Sequence, residues 1–526
     1  MGSSLCNGSL LPCAGSTTPR HSYCYLSAAA RRGHRHCHLT DGSVRHTIEH
    51  TFHVRRCTVT EAPFLPVPAP VAPEGAGAAR TYLCIDLKTF YASVECADRG
   101  LDPFTTNLVV ADPARGSTTI CLAVTPALKA LGVRNRCRVF EIPENILATT
   151  IMARPRMRHY MEVSADIYGT YLEYVSPADI HPYSIDECFI DATPYLTRYG
   201  LSARAFAELL MGRVRDRFSI CATAGIGPNL FLAKVALDIT AKHVPDGIGM
   251  LDEEGFRHEI WPHRPITDIW GIGPGIARRL AAYHVYDLMG VAALDEEILY
   301  REFGVNAEYL IDHAFGREPV TIADIQAYRP EESSYVNGQV LPRDYCHDEA
   351  LLVLREMVDA SALELVERGE VAGHISLMVG YAYGGAAADA GGAQARQPDL
   401  FRGEHGTRRL DRRDPAASAG GSRKIGEHTN SRKKLLAHFE RLWRETVDPA
   451  RPIRRINVGL GNLMPEEFAT VDLFTDTEAD AREHDLASAV IAVKSKFGKN
   501  ALVRGISLTE AGTARERNEQ VGGHHA

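Results

Sequence analysis

Three acidic residues could together bind divalent cations. Asp86 follows a short apolar run, and Asp186 and Glu187 are adjacent within a second run, HPYSIDECFID (181–191). In a plain strand neighbouring side chains point to opposite faces, so one acid of the adjacent pair would face the core. Two close carboxylates repel each other unless a cation neutralises them. Acids at strand ends of one sheet could hold the Mg²⁺ ions that assist phosphoryl transfer, whereas the alternative is surface acids that flank buried strands.

The elements around these acids must bring them together. Strands are predicted at 82–85, 183–191 and 219–226, and the helical run NLFLAKVALDITAK follows the last of them. Strands that alternate with helices predict an α/β (α+β) arrangement with helices packed against one sheet. We expect a turn or bulge at 184–187, because it would let both adjacent acids face the same cleft.

The second half of the chain opens with a glycine-rich turn. GIGPG (271–275) precedes an apolar helical stripe, which predicts a tight turn that enters a helix. After a linker at 326–333, the runs SYVNGQV, GHISLMVGYAY and RRINVGL predict strands, and 348–368 and 431–446 predict helices. The segment 384–424 is rich in Gly, Ala and Arg, and we expect a long flexible loop there.

Composition predicts several domains and no membrane span. The 526 residues are 45% hydrophobic and 24% charged, and no apolar run reaches the roughly 18 residues that cross a bilayer. The start of the chain has no signal-peptide pattern, so we expect a cytoplasmic protein whose 12 cysteines are mostly reduced. The net charge of -8 does not decide for or against nucleic acid, because phosphate binding needs only a local basic surface.

Residues 1–79 differ from the rest. They contain five of the 12 cysteines, show no apolar periodicity and end in a Pro/Ala/Gly-rich stretch. We expect a disordered N-terminal extension or a mis-assigned translation start. The alternative, a zinc site, lacks the usual cysteine spacing.

Four segments, in order, resemble the Y-family (UmuC/DinB-type) translesion DNA polymerases. IDLKTFYASVE (85–95) and YSIDECFID (183–191) resemble the first and third motifs of that family. AGIGPNLFLAKVALDITAKHVPDG (224–247) resembles the strand and helix that close the palm, and WGIGPGIARRL (270–280) resembles the helix-hairpin-helix of the thumb. The resemblance extends over 81–511 and is closest to the UmuC-like branch. It implies a right-hand polymerase with palm, fingers, thumb and little finger.

The resemblance also implies domain boundaries. Residues 1–79 would be the extension, 80–92 and 163–248 the palm, 93–162 the fingers, 249–325 the thumb, 326–333 a linker, 334–460 the little finger with the insert 384–424, and 461–526 a C-terminal region.

The resemblance gives each acid a role. Asp86 and Asp186 would bind two Mg²⁺ ions together with the main-chain carbonyl of Leu87, and Mn²⁺ can substitute for Mg²⁺ in such sites. Glu187 would complete the metal site beside the primer 3′-hydroxyl. In this family the three acids are the catalytic residues.

Nucleotide-binding residues follow from the same motifs. Tyr91 would be the steric gate whose ring excludes a ribose 2′-hydroxyl, and Phe90 is the aromatic residue before it; by sequence alone both could be helix-core residues. Lys129 and Lys242 match basic positions that contact the triphosphate, although a lone lysine is usually a surface residue. The position after Thr125 is Pro where many relatives have Tyr, so that triphosphate contact is either absent or replaced by Thr125.

DNA contacts are implied in the thumb and the little finger. Gly271, Gly273 and Gly275 would let backbone amides at a helix start approach a DNA phosphate, whereas the bland alternative is a turn between packed helices. Arg454 or Arg455 would lie on the polar face of the closing strand of the little finger and bind duplex phosphates.

Two short segments resemble sliding-clamp ligands, which place a Leu-Phe pair in an apolar pocket. QPDLF (397–401) has the expected letters, and TVDLF (470–474) has Thr where a Gln is usual. The residues expected to contact the clamp are Gln397, Leu400, Phe401, Leu473 and Phe474.

These features together predict an error-prone translesion DNA polymerase of DNA damage tolerance and SOS repair. Its substrates would be primer-template DNA and dNTPs, and its partners the sliding clamp and accessory SOS proteins. A catalytically inactive scaffold that binds DNA and the clamp is the alternative, but such proteins lose catalytic acids that are all present here. A nucleotide cyclase also uses paired carboxylates, but it needs no helix-hairpin-helix.

Overall fold

The structure is a computed structural model, and it describes residues 80–329, 334–382, 418–471 and 476–525. Within these ranges the chain forms a five-stranded, a four-stranded, a three-stranded and a two-stranded sheet. The strands are β1 (Tyr82–Leu87), β2 (Leu108–Val110), β3 (Ala123–Val124), β4 (Ile151–Ala153), β5 (Ile180–Pro182), β6 (Glu187–Asp191), β7 (Ala222–Gly227), β8 (Ile248–Met250), β9 (Ser334–Tyr345), β10 (Glu370–Tyr381), β11 (Ser418–Thr429), β12 (Ile453–Pro465), β13 (Gln520–Val521) and β14 (His524–His525).

The helices separate these sheets and cover them. They are α1 (Phe90–Ala97), α2 (Pro126–Ala130), α3 (Glu144–Leu147), α4 (Met157–Tyr171), α5 (Thr193–Tyr199), α6 (Ala203–Phe218), α7 (Leu230–Asp238), α8 (Glu253–Gly255), α9 (Pro274–Ala281), α10 (Leu288–Ala293), α11 (Glu296–Phe303), α12 (Asn306–Ala314), α13 (Ile322–Ala327), α14 (His347–Arg368), α15 (Arg432–Thr446), α16 (Thr477–Phe497) and α17 (Ala514–Asn518). Helices and strands both contribute, as the sequence predicts.

The five-stranded sheet, here called the central sheet, has the order β5-β6-β1-β7-β8. Its middle strand β1 is antiparallel to β6 and β7 and pairs Asp86 with Glu187. Because side chains alternate along a strand, Leu83 and Ile85 face the core formed with α4 and α6, whereas Cys84 faces α7. The sheet is therefore covered on both faces, and its polar residues are concentrated at the end of β1.

Helix α7 packs directly on β7 because β7 contains glycine. A Cβ atom at Gly225 would lie 2.0 Å from the carbonyl oxygen of Ala233 in α7. The close approach fixes where α7 presents Lys234 relative to the sheet.

A small sheet with the order β3-β2-β4 follows α1 in the chain. Its strands enclose a separate apolar core that includes Val109, Val124 and Leu128. Further along the chain, the segment from α8 to α13, here called the helical unit, packs around Phe256, Leu280 and Leu310.

The four-stranded sheet, here called the second sheet, has the order β11-β10-β12-β9 with antiparallel pairing throughout. Helices α14 and α15 cover one face through a core that includes Met357, Phe439 and Trp443. The other face leaves Val336 68% and Val340 66% exposed. This open face of the second sheet is the one that α14 and α15 do not cover.

Two expected boundaries fall inside strands of this sheet. Residues 418–424 belong to β11 and not to the loop expected at 384–424, and β12 continues to Pro465, past the boundary expected at 460. The glycines of β11 were misleading because Gly420 serves a packing purpose. Its φ is 117°, and a Cβ there would lie 2.1 Å from the carbonyl oxygen of Leu377 on the neighbouring strand. The remainder of the expected loop lies outside the described residues.

The C-terminal segment, residues 476–525, crosses from the second sheet to the small sheet. The backbone N–H groups of Thr513 and Ala514 donate to the buried carboxylate of Glu356 in α14, at 2.9 and 3.1 Å. At the other end Arg115 donates to the carbonyl oxygen of Gly523, at 2.8 Å, in the loop between β13 and β14. No helix among the described residues is long and apolar enough to cross a membrane.

Candidate active site

The chain turns between β5 and β6, so the adjacent acids do not lie in a regular strand. The N–H groups of Tyr183 and Ser184 both donate to the carbonyl oxygen of Glu187, at 2.9 and 3.0 Å. The Ser184 hydroxyl then donates to the Asp186 carboxylate at 2.7 Å. This tight turn confirms the turn expected at 184–187, and it frees Asp186 from the strand alternation.

Asp86 lies at the end of β1, beside this turn. The N–H of the next residue, Leu87, donates to the Asp186 carbonyl at 2.8 Å, which ties the two strand ends together. Burial, together with the charges of Asp186 and Glu187, raises the pKa of Asp86 to about 7. No hydrogen bond to its carboxylate comes from the part of the chain that the structure describes. An unsatisfied acid beside other acids fits a divalent cation, which would supply the missing positive charge.

Glu187 has a different environment. The Nζ atom of Lys234 lies 2.8 and 2.9 Å from its two oxygens, and the Cys84 thiol donates to it at 3.0 Å. Lys234 also binds Asp238, one helical turn further along α7, at 3.0 Å. Burial lowers the pKa of Lys234, but Cys84, Glu187 and Asp238 raise it above its usual range. Lys234 therefore stays charged and neutralises Glu187.

The three acids are thus close but are not arranged as a complete metal site. Among the described residues, no group of three or more His, Cys, Asp or Glu side chains could hold a metal ion as they stand. Asp86 and Asp186 have carboxylates, which are common metal ligands. The carbonyl of Leu87, the third predicted ligand, directly follows Asp86 in the chain. The metal role of Glu187 stays a prediction, because protein groups bind its carboxylate here.

The two predicted aromatic residues have different surroundings. Phe90 is 2% exposed in the core of the central sheet, which is the helix-core alternative, so its nucleotide contact stays a prediction that this packing does not favour. Tyr91 is half-buried and stacks on Tyr160 of α4, with ring centroids 4.7 Å apart and ring planes 20° apart. Burial and the charge of Asp186 raise the pKa of Tyr91. Tyr91 therefore lies within electrostatic range of Asp186, and its role as a sugar gate stays a prediction.

Lys129 lies near Asp86, and Lys242 lies near Lys129. Burial lowers the pKa of Lys129; the charge of Asp86 raises it, and that of Lys242 lowers it further. Lys129 is therefore within electrostatic range of both Asp86 and Lys242. Thr125, by contrast, is fully buried, and its hydroxyl donates to Thr106 and accepts from the N–H of Leu108. Its contact with a triphosphate stays a prediction that this packing does not favour.

The predicted glycine turn leads into α9. Gly271 has a φ of 85°, and a Cβ there would lie 1.5 Å from the hydroxyl oxygen of Tyr309. At Gly273 and Gly275 a Cβ would meet nothing within 4 Å. Gly271 is therefore needed for the fold, whereas the other two leave the start of α9 open to an approaching group.

Comparison with known proteins identifies the family. The impB/mucB/samB family matches residues 85–238, and its C-terminal domain matches residues 332–473. DNA polymerase IV 2 of Bacillus subtilis is 31% identical over 84% of this chain and 98% of its own length. DNA polymerase IV 2 of Halalkalibacterium halodurans is 28% identical over 84% of this chain and 98% of its own length. The chain belongs to the Y-family of DNA polymerases.

A solved structure of the Y-family has the same fold. A Y-family DNA polymerase chimera of Dbh and Dpo4 superposes with a TM-score of 0.53 at 19% sequence identity, over 73% of this chain and 99% of that one. The resemblance inferred from the sequence is therefore confirmed. The domain boundaries and the role of each residue stay predictions.

The second sheet is in the part of the chain that matches the C-terminal domain of the Y-family. Arg455 pairs with Gly380 and Val340 on the open face, whereas Arg454 binds Asp344 at 3.3 Å. Of the two predicted arginines, Arg455 is thus the one positioned to contact a molecule on that face. The predicted clamp contacts, Gln397, Leu400, Phe401, Leu473 and Phe474, lie outside the described residues.

Several residues of this Y-family site were not predicted. Lys234, Cys84 and Ser184 contact the adjacent acids, and Tyr160 supports Tyr91. A lysine inside the apolar run NLFLAKVALD, four residues before an aspartate, was a signal that a buried ion pair was present. Tyr160 gave no comparable signal, because it lies in a separate helix and meets Tyr91 only in the folded chain.

Proposed function

We propose that this protein is a template-directed DNA polymerase of the translesion type that adds dNTPs to a primer 3′-hydroxyl. The 3′-oxygen would attack the α-phosphorus of the dNTP, and pyrophosphate would leave. The observation that carries the proposal is the meeting of Asp86, Asp186 and Tyr91 at the end of β1 in a chain of this family.

The residues of the site would divide the work. Asp86 and Asp186 would hold two divalent ions, with Mg²⁺ the first choice and Mn²⁺ a substitute. When bound, such ions make the hydroxyl easier to deprotonate and neutralise the charge of the triphosphate. Lys129 and Lys242 would bind the triphosphate oxygens, and Tyr91 would lie against the sugar.

DNA would bind without being read for sequence. The open start of α9 at Gly273 and Gly275 can bring N–H groups to a phosphate. The open face of the second sheet contains Arg455 and Lys424, whose charges attract the phosphate backbone. Sequence-independent contacts of this kind suit an enzyme that must accept damaged templates.

The wider biological role is part of the same proposal. We place the protein in the cytoplasm and in the SOS response to DNA damage, with the sliding clamp and accessory SOS proteins as partners. These assignments depend on the resemblance and on the two short clamp-like segments.

Primer extension tests the catalytic proposal. Wild-type protein with Mg²⁺ should extend a primer on undamaged and lesion-bearing templates, and Asp86→Ala should abolish extension while DNA binding persists. Asp216→Ala, which removes an exposed acid from α6, should leave extension intact. Wild-type protein that binds primer-template but never extends it would instead favour the inactive scaffold.

A further inference from the structure

The ring of Tyr91 rests on a second aromatic ring that is completely buried. Tyr160 is 0% exposed, and its ring lies nearly parallel to that of Tyr91 at a centroid distance of 4.7 Å. Tyr91 itself is only partly buried, so one side of its ring is fixed by protein. The position of Tyr160 therefore sets the plane of Tyr91.

Tyr160 is also held by its hydroxyl group. The hydroxyl donates to Glu95 Oε1 at 2.7 Å, and Glu95 is 0% exposed. Arg156 donates to the same oxygen at 2.8 Å, and Arg99 forms a second ion pair with Glu95. Burial raises the pKa of Glu95, but the bonds from Arg156, Tyr160 and Arg99 lower it below its usual range. Glu95 thus remains a charged acceptor for the tyrosine.

The two contacts of Tyr160 lie on one face of one helix. Tyr91 and Glu95 are four residues apart in α1, so their side chains are neighbours along the helix. Tyr160 of α4 stacks on the first and hydrogen-bonds to the second. The ring is therefore fixed at both ends, and it cannot shift without disturbing α1.

We propose that Tyr160 is a positioning residue for sugar selection, which holds the Tyr91 ring where a ribose 2′-hydroxyl would collide with it. The inference rests on the proposed function, in which Tyr91 is the steric gate. Tyr160 does not touch the nucleotide; it acts by preventing the gate from tilting away. Without Tyr160 the Tyr91 ring could tilt, and a ribose 2′-hydroxyl would then fit beside it.

The test measures the ratio of kcat/KM for ribonucleotides to kcat/KM for deoxyribonucleotides. Tyr160→Leu removes both contacts and should raise this ratio by roughly threefold to tenfold, the range that a stacked aromatic pair corresponds to. Tyr160→Phe keeps the ring but loses the bond to Glu95, and it should raise the ratio by a smaller factor, about twofold. A merely structural role would lower both activities together and leave the ratio unchanged.

Tyr195→Leu is the matched control. Tyr195 is also buried, its hydroxyl donates to Asp179 at 2.6 Å, and its ring stacks on Phe206 with planes 12° apart. It lies on α5 and has no stacking contact with Tyr91 among the described residues. Its variant should change stability but not the sugar ratio.

Tyr91→Ala separates failure of the inference from failure of the proposed gate. If Tyr91→Ala leaves the sugar ratio unchanged, the gate assignment is wrong. If Tyr91→Ala relaxes selection but folded Tyr160→Leu does not, Tyr160 has no positioning role. If Tyr160→Leu fails to fold, Tyr160→Phe decides, and an unchanged ratio in that active variant overturns the inference.

Discussion

The Nζ atom of Lys234 lies 2.8 Å from Oε1 of Glu187, and the two side chains are only 8% and 9% exposed. The adjacent acids Asp186 and Glu187 are therefore electrostatically different, although they are neighbours in the chain. The charge of Glu187 is neutralised from inside the protein by α7. Asp186 and Asp86 have no such partner among the described residues, and so they are the two that gain most from a bound cation.

Lys234→Met should strongly destabilise the folded protein. Removing one member of a buried ion pair leaves the other charged group without compensation, which costs about 3–5 kcal/mol. Urea unfolding should show this loss, and the double variant Lys234→Met with Glu187→Gln should recover part of it. Arg368→Met, which breaks the exposed pair with Glu364, should cost no more than about 1 kcal/mol. If Lys234→Met and Arg368→Met lowered the free energy of unfolding equally, the buried-pair argument would be wrong.

Asp86→Asn should make the metal-free protein more stable. The change removes a buried charge that burial and two neighbouring acids disfavour, and the gain should be about 1 kcal/mol or more, or roughly 2–4 °C in Tm. Thermal unfolding in EDTA measures it. Added Mg²⁺ should raise the Tm of the wild-type protein but not that of the variant. A lower Tm for Asp86→Asn in EDTA would show that the acids do not repel one another.

Alanine at Gly271 and at Gly273 should have opposite consequences. In Gly271→Ala the alanine would have to adopt a left-handed backbone conformation, and its Cβ would collide with Tyr309. The free energy of unfolding should therefore fall by at least about 1 kcal/mol. Gly273→Ala meets no neighbour and should change stability by less than about 1 kcal/mol. It should nevertheless weaken primer-template binding, measured by fluorescence anisotropy at low salt, because the methyl group lies at the open start of α9. Unchanged affinity in Gly273→Ala would remove α9 from the DNA surface.

His313 should make stability depend on pH. It is 2% exposed and stacks on Phe231 at 3.8 Å; burial lowers its pKa, although the charges of Glu318 and Asp312 raise it. The unfolded chain, with a pKa near about 6.5, then binds a proton more readily than the folded protein. The stabilising effect of the neutral ring is full above that pH and is lost as the pH falls toward the lower folded value.

Urea unfolding at successive pH values below neutrality checks this expectation. The free energy of unfolding should fall less steeply with decreasing pH in His313→Gln than in the wild-type protein, since glutamine does not titrate. Parallel slopes for the two proteins would mean that His313 is not protonated more easily on unfolding.

The sequence was sufficient to predict the acidic end of the central sheet, because local signals and order along the chain agreed there. Asp86 and Asp186 follow recognisable strand patterns, and the turn at 184–187 is the physical answer to two adjacent acids. The family assignment depended on four motifs in sequence, and comparison with known proteins confirmed it.

The rest required the fold, since it depends on contacts between distant residues. Lys234 neutralises Glu187 only because Gly225 lets α7 lie against the sheet. The strand from Ser418 was predicted as a loop because its glycines suggested flexibility, whereas Gly420 allows the close approach of the neighbouring strand. The sequence predicted Thr125 as a ligand contact, but its hydroxyl is hydrogen-bonded to backbone groups at the start of β2.

The C-terminal segment links α14, beside the second sheet, to the loop that follows β2 of the small sheet. The hydrogen bonds at the two ends of that segment differ in their exposure to solvent. At Glu356 a buried carboxylate accepts two backbone N–H groups, whereas the hydrogen bond from Arg115 to Gly523 is exposed to solvent. The exposed hydrogen bond between Arg115 and Gly523 should therefore break more readily than the bonds to Glu356. While that bond is broken, the C-terminal segment would stay attached to α14 through Glu356.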